Sequence, residues 1–153
     1  MIKRFEEFTS AVTLAYKYII KIKAYEMKAF GLKASHVMCL FHIGKHEEGL
    51  TAGELGTLCM EDKAAISKAL AELKKQELIM ADDEHGAKVY RAKYYITEKG
   101  AEIHKTISAF IVRTVEEVGK GLSVQEREDF YHSFAVILNN LQNYYKHLEK
   151  DEL

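Results

Sequence analysis

Apolar residues recur every three or four positions along most of the chain, and the places where that rhythm stops mark the ends of its elements. Phe5, Phe8, Val12, Ala15, Tyr16, Ile19, Ile22 and Met27 form one face of a long amphipathic helix over residues 5–29. Lys17, Lys21 and Lys28 lie on its far face, and Gly31 is the expected stop. Ser35 is expected to cap a second helix of about ten residues, with Val37, Leu40 and Phe41 inward. His46-Glu47-Glu48-Gly49 closes it. Thr51 and Glu54 form a capping box that opens a short helix burying Leu55 and Leu58. After a tight connection at Cys59-Met60-Glu61, Asp62 caps a fourth helix. Its spacing turns Ile66, Ala69, Leu70 and Leu73 inward and Lys63, Ala64, Ser67, Lys68, Ala71, Lys74 and Lys75 outward.

The period then changes. Leu78-Ile79-Met80 and the turn-rich Asp82-Asp83-Glu84-His85-Gly86 precede a strict alternation over residues 88–96. Tyr90, Ala92, Tyr94 and Ile96 fall on one face; Val89, Arg91, Lys93 and Tyr95 fall on the other. That pattern predicts a hairpin, which needs something to pack on. The helical period resumes at Thr97, a cap for a fifth helix with Ile103, Ile107, Phe110, Ile111, Thr114 and Val118 along one side. Gly119 and Gly121 break it. Ser123 and Glu126 make a second capping box. The last helix carries Phe130, Phe134, Ile137, Leu141, Tyr144 and Leu148 at intervals of 4, 3, 4, 3 and 4, a heptad-like seam.

Composition narrows the class. The 153 residues contain no proline, which permits long uninterrupted helices. Hydrophobic residues make up 48% and charged residues 29%, as in a folded domain and unlike disorder or a fibrous repeat. The net charge of −1 excludes a uniformly basic nucleic-acid binder but leaves room for a local basic patch. The first residues lack the apolar core of a signal peptide, and no apolar run approaches the ~18 residues of a membrane span, so a cytoplasmic protein without a membrane partner is expected. No phosphate-binding Gly-rich loop or nucleophile elbow is present, so the chain is not expected to be an enzyme or to carry a cofactor.

Helix, tight turn, helix and hairpin in that order predict a mainly α protein with a small β wing, a winged helix-turn-helix. In that motif the second helix reads the major groove and the first crosses the backbone. Residues 63–75 hold four Lys against Glu72 alone, a local charge of +3. A lysine-bearing helix face is usually no more than solvated; the order of elements favours phosphate contact here. Lys63, Lys68 and Lys74, with Lys88, Arg91 and Lys93 from the hairpin, suit phosphate oxygens. Ala64, Ala65 and Ser67 are small enough to meet base edges. Ser35, Thr51 and Asp62, at three helix starts, complete the set assigned to double-stranded DNA.

Residues 50–79, LTAGELGTLCMEDKAAISKALAELKKQELI, resemble the helix-turn-helix of the MarR (multiple antibiotic resistance regulator) family. YRAKYYITEKG at 90–100 is similar to that family's second wing strand and the start of its fifth helix. The resemblance implies a cytoplasmic homodimer. Residues 1–34 and 101–153 would build an intertwined helical dimerisation region around a winged helix at 35–100. Phe5, Phe8, Val12, Phe134, Ile137, Leu141, Tyr144 and Leu148 are the expected dimer contacts. Each subunit would present its winged helix to one half-site of a pseudo-palindromic operator. Repression, and release by a small phenolic or other lipophilic effector, are the family's usual behaviour. Tyr16, Ile20, Phe41, His42 and Phe110 are the candidate pocket, although aromatic residues at helical spacing more often form plain core.

The sequence departs from the family pattern in three places. No Asp stands two positions before Arg91 in the wing; Val89 does. Asp82 or Asp83 can still pair with Arg91 across the hairpin. Glu77 stands where the family usually has Gly, and a left-handed backbone there costs a non-Gly residue roughly 1 kcal/mol, so a different turn is expected. Asp82-Asp83-Glu84 make the wing base acidic. The acidic wing and displaced Arg leave a competing reading, a winged-helix module that docks a protein without specific DNA binding. Cys39 and Cys59 have no Lys or Arg beside them in sequence, so both read as small apolar residues and not as sensors. His42 and His46 share a helix face at metal-compatible spacing, but imidazoles near a helix end can satisfy carbonyls there, and no metal site is expected.

Overall fold

A computed structural model describes residues 1–82 and 92–151. Its elements in order are α1 (Ile2–Met27), a 3-10 turn (Lys28–Phe30), α2 (Ala34–Lys45), β1 (Leu50–Thr51), α3 (Ala52–Cys59), α4 (Lys63–Lys75), β2 (Ile79–Ala81), β3 (Lys93–Ile96), α5 (Glu98–Val118) and α6 (Val124–Asp151). The chain forms two compact units, Met1–Ile111 and Val112–Leu153. Among the described residues no helix is long and apolar enough to cross a membrane.

The expected helices are present, and most caps work locally as the sequence implies. Gly31 ends the first helical segment in a left-handed conformation, φ 65°. Thr51 Oγ1 accepts from the Glu54 N–H at 3.3 Å, while the Thr51 N–H donates to the Glu54 carboxylate at 2.8 Å. Asp62 Oδ1 accepts from the Ala65 N–H at 2.8 Å, and Ser123 and Glu126 repeat the reciprocal pattern. The start of α2 differs. Lys33 occupies the cap position, and His36 Nδ1 accepts its N–H at 3.2 Å. Ser35 is exposed in the first turn instead. The imidazole one turn in thus fills the half of a capping box that Glu or Gln usually supplies, accepting the N–H of the cap residue.

The core of the first unit collects Val37, Leu40 and Ile43 of α2, Leu55 of α3, Ile66, Ala69, Leu70 and Leu73 of α4, and Ile107 and Phe110 of α5. Leu58, expected inside, is 39% exposed. Helix α3 is short and buries one narrow face. Leu55 and Cys59, four apart, occupy it, and Leu58 falls beside it.

The expected hairpin is part of a three-stranded antiparallel sheet in the order β1-β3-β2. Leu50 pairs with Tyr94, and Ile79 pairs with Ile96. Tyr94 and Ile96 pack against the core, as the alternation required. The turn at 83–87 and the first part of the expected strand, 88–91, lie outside the described residues. The connection from α4 to β2 keeps the left-handed turn despite lacking glycine. Glu77 has φ 61°. Its N–H donates to the Lys74 carbonyl at 2.9 Å, and the Leu78 N–H reaches back to the Leu73 carbonyl at 3.1 Å. Those are the two bonds of a Schellman closure. Thr97 Oγ1 donates to the Glu77 carbonyl at 2.7 Å and accepts from the Gly100 N–H at 3.0 Å. One hydroxyl thus joins the end of α4 to the start of α5 and helps hold a strained residue in place.

His36 anchors α2 to α4. Its buried ring has Nε2 2.8 Å from Glu72 Oε2, and Lys33 Nζ lies 2.7 Å from the same carboxylate. With Nδ1 accepting from Lys33, Nε2 carries the proton, so the bonded form is the neutral ring. Burial holds the His36 pKa below its ordinary 6.5; Glu72 raises it in opposition, and the Lys33 charge lowers it further. The unfolded chain therefore takes up a proton at His36 at higher pH than the folded chain. This contribution to stability is complete above pH 6.5 and is lost as pH falls below it. Thermal melts from about pH 7.5 to about pH 5.5 should show a steeper fall in Tm for the wild type than for His36→Gln, whose amide can accept and donate without titrating. Parallel curves would remove His36 from the pH response.

The terminal helices leave apolar surface uncovered. Met27 is the sole buried residue of α1, while Phe5 is 67% exposed. On α6 the expected seam residues Ile137, Leu141, Tyr144 and Leu148 are all exposed, and Phe130 stacks on Phe134 with centroids 5.7 Å apart.

Candidate nucleic-acid interface

Helices α3 and α4 are joined by Met60, Glu61 and Asp62. Met60 takes the left-handed conformation, φ 55°, and the Glu61 N–H donates back to the Gly56 carbonyl at 3.1 Å. Asp62 then caps α4, which fixes where its first turn begins.

Helix α4 is strongly two-sided. Ile66, Ala69, Leu70 and Leu73 are buried, while Lys63, Ala64, Ser67, Lys68, Ala71, Lys74 and Lys75 are exposed. Ala65, assigned to base edges with Ala64 and Ser67, is half-buried with its N–H held by Asp62, so it is less outward than those two. Glu72, the helix's single acid, is turned to Lys33 and His36 of α2. The exposed face therefore carries four lysines and no carboxylate. Lys33 holds the Glu72 carboxyl below its ordinary range, so it stays ionised and engaged.

The other sequence-assigned positions vary. Ser35 is exposed on α2. Thr51 has its hydroxyl committed to Glu54. Lys93 donates from Nζ to the Glu48 carbonyl at 3.0 Å, which ties β3 to the loop before β1. Lys88 and Arg91 lie outside the described residues, as does the possible pairing of Arg91 with an acid across the hairpin.

Among the pocket candidates, Phe41 and His42 are in edge contact, with centroids 5.5 Å apart. Phe110 is buried in the core, Ile20 is half-buried and Tyr16 is 63% exposed. His104, absent from the sequence reading, stacks on Phe41 at 5.8 Å. Among the described residues neither His42 Nε2 nor His104 Nε2 has a hydrogen-bond partner. The only signal for His104 was its place three residues before buried Ile107. Burial lowers the His42 pKa, aided by the charges of His46 and Lys45. His46 Nδ1 donates to the His42 carbonyl at 2.8 Å, the helix-end role expected of it.

Two helices joined by a tight turn, with a small antiparallel sheet packed on the same core, define a winged helix-turn-helix protein. Residues 30–87 match the sequence model of the MarR family, and the fold is that of MarR transcription regulators. The Staphylococcus aureus MepR–DNA complex is similar, with 15% identity, a TM-score of 0.79, and coverage of 88% of this chain and 97% of that one. A MarR family regulator from Listeria monocytogenes complexed with a 26mer DNA has 19% identity, a TM-score of 0.79 and 93% coverage of both chains. S. aureus MarR in complex with salicylate and kanamycin has 18% identity, a TM-score of 0.78, and coverage of 93% of this chain and 94% of that one. Identities this low establish the fold. No curated protein matches the sequence.

Proposed function

We propose that this chain is a sequence-specific DNA-binding transcription regulator, acting as a homodimeric repressor that a small lipophilic effector releases. The observation that carries the reading is that the exposed face of α4, the second helix of a helix-turn-helix, has four lysines and no acid. Lys63, Lys68 and Lys74 would neutralise phosphates, displacing counterions and supplying sequence-independent affinity. Ala64 and Ser67, one turn apart near the start of α4, would approach base edges, with Ala65 as a lesser contact. Ser35, Thr51, Asp62, Lys88, Arg91 and Lys93 are assigned to backbone and wing contacts. The DNA complexes of MepR and of the Listeria regulator support the DNA reading, and the salicylate complex of S. aureus MarR supports the effector.

A dimer would use the uncovered stripes of α1 and α6, with residues 1–34 and 101–153 as the dimerisation region and 35–100 as the reader. Its two-fold axis would match an inverted repeat with half-sites about one helical turn apart. Phe41, His42 and Phe110, with Tyr16, Ile20 and the newly placed His104, are the proposed effector site. The test of the DNA reading is duplex affinity over a series of salt concentrations. Lys68→Ala should weaken binding to all sequences alike and flatten the log–log salt slope by about one unit. Unchanged affinity and slope would take Lys68 out of the interface. No salt-dependent affinity in the wild type would favour a protein-docking module.

A further inference from the structure

Cys39 and Cys59 are separated by a helix, a strand and a turn in sequence, yet the fold brings their sulfurs to 3.8 Å. Cys39 is buried within α2; Cys59, half-buried, is the last residue of α3. Half-buried Lys23 of α1 adds a cation whose field favours the Cys59 thiolate, and Glu61 in the next turn opposes it. The chain thus holds an accessible thiol, a buried thiol behind it and a nearby ammonium group, contributed by three helices. We propose that this pair is an oxidation site: a hydroperoxide oxidises Cys59, and Cys39 converts the product to an intrasubunit disulfide that ties α2 to the end of α3.

The roles follow from position. The thiolate is the nucleophile. The Cys39 S–H favours the Cys59 thiolate by donating to it, and Lys23 adds to this, against burial and Glu61; the net shift of Cys59 is downward. Its bond to Cys59 and its burial push Cys39 up. In the first step Cys59 sulfur attacks the terminal oxygen of ROOH. An S–O bond forms, the O–O bond breaks, and the departing alkoxide takes a proton to leave as ROH. In the second step Cys39 sulfur attacks Cys59 sulfur. The S–S bond forms, the S–O bond breaks, and hydroxide leaves with the Cys39 proton as water. Two thiols are oxidised and one peroxide is reduced to an alcohol.

Closing the bond brings the sulfurs from 3.8 Å to about 2.05 Å. The movement is applied at Cys59, immediately before left-handed Met60 and the Asp62 cap that starts α4. A disulfide here therefore displaces the turn that positions the basic helix. That consequence rests on the DNA-binding reading; the oxidation itself does not.

The test treats reduced full-length protein with hydrogen peroxide and follows intact mass, peptide mapping and duplex affinity. Loss of two hydrogens at single-chain mass is expected, with a linked Cys39–Cys59 peptide that dithiothreitol reverses. Cys39→Ser should stop at a sulfenic acid on Cys59 that dimedone traps, and Cys59→Ser should form no disulfide. Cys39→Ala replaces the serine variant if the buried hydroxyl unfolds it, and the wild-type mass result needs no variant. Duplex affinity should fall about tenfold on oxidation. Persistence of both thiols at a peroxide level that oxidises free cysteine, or disulfides only between chains, would overturn the proposal. A Cys39–Cys59 disulfide with unchanged affinity would overturn the link to α4. A disulfide in a protein that binds no duplex even when reduced would leave the oxidation site standing and remove the DNA reading.

Discussion

Leu141→Asp should convert the protein from dimer to monomer at micromolar concentration. Leu141 is 45% exposed on α6, between Ile137 and Tyr144, which are exposed members of the same seam. The heptad-like spacing keeps that stripe on one side of the helix. In the proposed dimer the stripe is covered by the partner, so each carboxylate would leave water for an apolar interface. The penalty is roughly several kcal/mol per ion, and a two-fold interface incurs it twice. The dimer dissociation constant should rise by roughly two orders of magnitude or more. Light scattering should then report the mass of a single chain. Circular dichroism should remain helical, since Leu141 is not buried within its own subunit. A dimer that survives the substitution would place the interface elsewhere.

The largest expected effect on stability is at Gly100. This residue lies in the first turn of α5, where Ala is ordinarily better than Gly by about 1 kcal/mol. Here a Cβ would collide with the Leu78 backbone carbonyl and come within 2.9 Å of Ile96 Cγ1. That carbonyl already accepts the Thr97 N–H at 3.1 Å, so it cannot move without breaking the junction between β2 and α5. Gly100→Ala should therefore destabilise by about 3 kcal/mol, reversing the sign that helix propensity gives. Denaturant melts measure this directly. Equal or greater stability would mean that the junction yields.

Most of what depends on neighbours three or four residues apart was legible in the sequence. The buried stripe of α4, the Thr51–Glu54 and Ser123–Glu126 boxes and the Asp62 cap are local bargains between a side chain and the next turn. Most features that escaped are long-range or too short to have a period. Strand β1 is two residues and exists because β3 offers it an edge. His36 accepts the N–H of the cap residue Lys33, and its other nitrogen meets Glu72 in another helix. Glu72 therefore counts against the lysines in a sequence tally but not on the exposed face of α4. At Glu77 the residue type argued against a left-handed turn, yet the turn is kept by the Schellman bonds and Thr97. The Cys39–Cys59 pair and the stacking of His104 on Phe41 likewise bring together residues whose separation hides them.

Selection of a random duplex library by the purified protein, at two salt concentrations, would show whether α4 reads DNA sequence on a two-fold scaffold. One inverted repeat, with half-sites about one helical turn apart, should be enriched and retained at the higher salt. Recovery of no sequence, with binding that vanishes at the higher salt, would contradict that reading.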